Sequence, residues 1–102
     1  MTDIRLERVA DWLRQHPAPI HLRDVAAWTE LVAAELGTES FPALLALLAD
    51  GDAEQQYQAM AAARVLGAEV WADGREPDQV WRVTLPGEQH VRHIRPRQQL
   101  AG

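Results

Sequence analysis

Apolar side chains recur at helical spacing over the first two thirds of the chain and at alternate positions over the last third; the period changes at Leu66-Gly67. Ile4, Leu6, Val9, Trp12 and Leu13 mark a first helix, with Thr2 or Asp3 as its expected cap. His16-Pro17-Ala18-Pro19 ends it, because the residue before a proline avoids the helical region. Leu22, Val25, Ala26, Thr29, Val32 and Leu36 predict a core-facing stripe on a second helix over 21–36, flanked by Trp28 and Leu31 and closed by Gly37 in a left-handed C-cap. A third helix starts at Thr38 or at a capping Ser40 and carries Pro42 in its first turn. Its Leu44, Leu45, Leu47 and Leu48 leave almost no polar face, which predicts burial on more than one side.

Asp50-Gly51 breaks that helix, and Asp52 with Gln55 three residues on has the spacing of a capping box for a fourth. Tyr57, Met60, Ala61 and Arg64 fall on one face of the fourth helix, and Ala59, Ala62, Ala63 and Leu66 on the other. Beyond Gly67, residues 69–73 and 79–85 alternate as two strands joined by Asp73-Gly74-Arg75-Glu76-Pro77-Asp78, and 90–94 can form a third, edge strand. Trp81, Val83 and Leu85 belong to the core, and Trp71 is either the cross-strand neighbour of Trp81 or an exposed anchor, depending on register. The expected fold class is α+β: about four helices followed by a β-hairpin or small antiparallel sheet packed on the helical layer. Residues 1–95 read as a single domain and 96–102 as a flexible tail.

Composition narrows the function. The 102 residues are 47% hydrophobic, enough for one core without staples, and contain no cysteine to make disulfides, thiolate metal sites or a thiol nucleophile. A net charge of −5 disfavours non-specific binding to nucleic acid or anionic membrane. No apolar run approaches the ~20 residues of a membrane span, and the first residues lack the apolar region of a signal peptide, so a cytoplasmic protein is expected. All ten basic residues are arginine, which with the alanine-rich background suits a high-GC bacterial genome.

Two stretches resemble known families. The leucine-rich helix, the acidic turn Asp50-Gly51-Asp52 and the alanine-rich helix closing on Leu66-Gly67 resemble a single HEAT-type repeat, although one repeat cannot bury its faces as a solenoid does. Helices leading through Leu66-Gly67-Ala68-Glu69-Val70 into a hairpin resemble a winged-helix domain. That resemblance implies a reading helix over 52–64 and a wing in the hairpin, with Gln55, Gln56, Arg64, Arg75 and Arg82 as nucleic-acid contacts. Against that pattern, the helix opens with Asp52 and Glu54, and the wing also carries Asp73, Glu76 and Asp78, all facing phosphate at a cost.

No catalytic constellation stands out. There is no glycine-rich phosphate loop and no HExxH, and Ser40 is the only serine. Histidines 16, 21, 90 and 93 form two pairs, and a metal or enzymatic site needs the pairs to converge. No cofactor or metal is expected. Arg82, Arg92, Arg95 and Arg97 make the C-terminal part basic, for an anion or for charge compensation. The four tryptophans point to contact with protein, since tryptophan is enriched where protein surfaces meet. The leading expectation is a non-enzymatic interaction or regulatory module that binds another protein or itself. Its contacts would be Trp28, Tyr57, Trp71 and the acidic loop with Asp73, Glu76 and Asp78. The alternative is a winged-helix nucleic-acid-binding regulator.

Overall fold

A computed structural model of the chain describes residues 4–75 and 78–97. Residues 1–3, 76, 77 and 98–102, and with them the first helix's expected cap at Thr2 or Asp3 and most of the expected tail, lie outside the described residues. Four α-helices precede a three-stranded antiparallel sheet, as the change of period predicts. They are α1 (Ile4–Gln15), α2 (Leu22–Leu31), α3 (Phe41–Asp50) and α4 (Ala53–Val65), then β1 (Glu69–Asp73), β2 (Val80–Thr84) and β3 (Arg92–Ile94), in spatial order β1-β2-β3.

α3 is the centre. Its Phe41, Ala43, Leu44, Leu47 and Leu48 are all buried, and it packs against α1, α4 and β3. With no polar face it cannot sit at a surface, which is why the other elements arrange around it. The α3–α4 turn is tight. The capping box forms as its spacing predicts: the Gln55 amide donates to Asp52 Oδ1 at 2.8 Å, and the Asp52 amide donates to Gln55 Oε1 at 3.0 Å. Gly51 is required by space, since a Cβ there would stand 2.6 Å from the Leu47 carbonyl oxygen. α4 ends in a Schellman motif at Gly67 (φ +105°), with the Ala68 amide donating to the Ala63 carbonyl and the Gly67 amide to that of Arg64.

The second helix departs from expectation. It stays α-helical only to Leu31 and then widens into a π-helical turn, Val32–Leu36, before Gly37. Gly37 has positive φ (+67°) but an extended ψ of 178°, so it is not a left-handed cap. The helix is also rotated from the predicted stripe. Trp28 and Val32 are buried and Val25, Thr29 and Leu36 half-buried, whereas Leu22 and Ala26 face out. The reason is a long-range bond: the Trp28 indole N–H donates to the His16 carbonyl at 2.8 Å, drawing the ring under the α1–α2 connection. Ser40 is also not the predicted cap. It closes a 3-10 turn (Thr38–Ser40), and its hydroxyl donates back to the Gly37 carbonyl at 2.7 Å, with no side-chain bond into α3.

In the sheet, Val70 pairs with Val83, Ala72 with Trp81, and Trp81 with Ile94. Val70, Trp81 and Val83 are buried against the helices. The register sets Trp71 opposite Arg82, on the other face from Trp81, so Trp71 is the exposed member of the pair. Pro96 is buried, the Arg97 amide donates to the Ala49 carbonyl at 2.7 Å, and the Arg97 guanidinium meets Asp50 at 3.1 Å. These contacts hold the chain to the C-terminus of α3 through residue 97. Among the described residues no single helix is long and apolar enough to cross a membrane.

Candidate functional site

Two buried glutamines on α4 fix what surrounds it. Gln56 donates to the Gly51 carbonyl at 2.9 Å and accepts the Trp81 indole N–H at 3.0 Å, joining α4 to the sheet. Gln58 accepts the Ala18 amide at 2.7 Å and donates to Glu54 at 3.0 Å, clamping the α1–α2 connection to α4. A buried amide with both ends satisfied is a structural anchor.

With the connection held there, α2 and α4 border an open groove of about 260 Å³. Tyr57, Met60, Ala61 and Arg64, the face predicted for α4, line one side. Ala18, Pro19, Val25 and the edge of Trp28 line the other. Ile20 and Leu22, which follow the lining residue Pro19 in the chain, are 94% and 89% exposed. Tyr57 is 50% exposed. Arg64 closes the end near the sheet, its Nε–H donating to the Val70 carbonyl on β1 at 2.7 Å.

A second cleft of about 380 Å³ lies between α1 and the start of α4, among Leu13, Arg14, Pro17, Asp52, Glu54 and Gln58. Its polar groups are largely engaged: Arg14 pairs with Asp11, Asp52 caps α4, and Glu54 accepts from Gln58 through one of its two oxygens. That leaves little to orient a ligand.

The expected contact residues separate. Trp28 is 7% exposed and is a core residue, a correction that follows from its bond to His16. Tyr57 lines the α2–α4 groove. Trp71, 48% exposed, and Asp73 lie on the sheet, Asp78 lies in the loop before β2, and Glu76 is outside the described residues. Of the residues assigned to nucleic acid, Gln56 is buried and committed to Trp81, so it has no free edge to present to a base. Gln55 is spent in the capping box, Arg64 is tied to Val70, and Arg75 is exposed. Arg82 reaches Asp73 at 4.0 Å, with its Nε buried and without a hydrogen-bond partner among the described residues.

Of the C-terminal arginines, Arg82, Arg92 and Arg97 meet carboxylates. Arg92 binds Glu88 through Nε at 3.2 Å and Nη2 at 2.9 Å. The Arg92 hydrogen bonds hold the Glu88 carboxyl below its ordinary range, with the charges of Arg92 and His90 adding to the effect, while Glu88 raises Arg92. His16 stacks on Trp12 with ring centroids 4.5 Å apart. Among the described residues no three of His, Asp and Glu gather as metal ligands would.

Ile20 and Leu22 were not foreseen as surface features. Ile20 follows Pro19 in a connection with no period of its own, and that isolation is the only sequence signal it offers. No family model matches this chain, and neither a curated protein nor a solved structure matches it.

Proposed function

We propose that this protein is a non-enzymatic interaction module that docks a protein partner over the α2–α4 groove. The observation that carries this reading is the near-complete exposure of Ile20 and Leu22, which follow in the chain on Pro19 of an apolar groove. Each gains about 1.5–3 kcal/mol on full burial. An exposed ion pair in the acidic loop gains about 0–1 kcal/mol. The apolar patch therefore dominates any docking energy, and the acids serve as rim. Regulation through such a surface needs no cofactor and no chemistry.

The test is a photo-crosslinking residue at position 22, with a control at Gln89 in the exposed turn before β3, introduced into the protein in its host cells. Adducts at 22 and none at 89 are expected. Absence of adducts at 22, or equal labelling at both positions, would overturn the reading.

A further inference from the structure

The exposed stripe of α4, which runs from Glu54 in the second cleft to Tyr57, Ala61 and Arg64 in the groove, has an order that complements itself. Glu54, Tyr57, Ala61 and Arg64 recur at spacings of three, four and three, so they share one stripe of the helix. Residues 54 and 64 are about 15 Å apart along the axis. When a second α4 is laid antiparallel about a two-fold axis level with Ala59, Glu54 meets Arg64 of the second copy and Arg64 meets its Glu54. The same operation sets the large Tyr57 against the small Ala61 of the other chain, twice. A two-fold contact must present one patch that fits itself, and both charge and size do so here.

We infer that the partner is a second copy of this chain, paired through α4 against α4, with Ile20 and Leu22 of each copy closing over the other; this rests on the docking reading above. The charged groups are available for it. Among the described residues Glu54 uses only Oε1, toward Gln58, and Arg64 only Nε, toward Val70, which leaves Glu54 Oε2 and the Arg64 terminal nitrogens to cross the axis. α4 has 13 residues, too few to reach the ~800 Å² per partner of a standard stable interface. The dimer is therefore weak and concentration-dependent.

Sedimentation velocity on the purified chain from about 10 µM to about 1 mM reads the equilibrium directly. A dimer that grows with concentration is expected. E54R and R64E should each weaken it by roughly fivefold or more, since each sets like charges across the axis twice. The double variant E54R/R64E restores the order with signs exchanged and should recover most of the affinity. Because R64E also removes the bond to Val70, Tyr57→Arg provides a second probe at a half-exposed position; it should abolish pairing while leaving the circular dichroism melt near that of the parent. A chain monomeric at about 1 mM overturns the inference, as does a dimer indifferent to Tyr57→Arg or a folded double variant that fails to recover. A monomer in solution whose position 22 still captures a different protein in the cell sinks self-pairing alone. No adduct at 22 sinks the docking reading as well.

Discussion

Replacing Gln56 by leucine tests the central claim about α4, that its glutamine belongs to the interior. Leucine keeps nearly the same volume, so little cavity term enters. It strands two buried groups, the Trp81 indole N–H and the Gly51 carbonyl, which Gln56 holds at 3.0 and 2.9 Å. A stranded buried donor or acceptor costs about 1–3 kcal/mol, so Q56L should lose about 2–5 kcal/mol. A domain of this length has only about 5–15 kcal/mol in total, so the change is readily measured. Urea denaturation followed by circular dichroism gives the value, provided the slope with denaturant stays constant. W81F removes the stranded indole donor. The double variant Q56L/W81F should therefore lose about 1–2 kcal/mol less than the sum of the singles. A Q56L loss under about 0.5 kcal/mol, or strict additivity with W81F, would refute the buried bridge. It would also return Gln56 to the solvent face of α4, where a base-reading role requires it.

Further outcomes follow from the same geometry. Gly51→Ala pushes a methyl to 2.6 Å from the Leu47 carbonyl oxygen and 2.8 Å from Gln55 Cβ, and should cost about 1–3 kcal/mol by thermal melting despite an ordinary φ at that residue. Asp52→Ala removes one half of the capping box and should cost about 1 kcal/mol, seen as earlier fraying of the first-turn amides of α4 in hydrogen exchange. The Glu88–Arg92 pair should steady β3 above the ordinary carboxylate pKa. The folded pKa of Glu88 is depressed, so this support is lost as pH falls through that lowered value. Amide exchange at residues 92–94, corrected for its intrinsic pH dependence, should quicken across that window, and E88Q should remove the pH dependence.

Features that the sequence encodes locally could be read from it. The capping box at Asp52 and Gln55, the stop at Gly67 and the alternation around Trp81 each depend on residues within a turn or a strand of one another. The rotation of α2 could not be read in the same way. The predicted stripe already held Val25 and Val32, with Trp28 on its flank, and a small turn of the helix trades Leu22 and Ala26 for Trp28, also an apolar choice. The choice is made by the His16 carbonyl, 12 residues from Trp28, which accepts the indole N–H. Burial of Gln56 was legible in part: it lies three residues before Ala59 and seven before Ala63, on the helix's buried side, where an amide must have partners. Their identity, Trp81 and Gly51, depends on how the sheet docks.

That same rotation creates the surface on which the functional reading stands. A helix rotated so that Leu22 faced inward would carry Trp28 outward, and the protein would present one large aromatic anchor with its indole N–H in water. Turned as it is, α2 hides the tryptophan and leaves two aliphatic side chains without cover, on either side of His21. Nothing in the folding of a single copy calls for Ile20 and Leu22 to be apolar, since neither contributes to the core. Polar residues there would serve the monomer equally well and would lower its tendency to associate. I20S/L22S should therefore leave the stability within about 0.5 kcal/mol of the parent while removing the concentration-dependent sedimentation. A clear loss of stability in that variant would mean that the two side chains serve the fold itself, and the case for a docking surface would lose its main support.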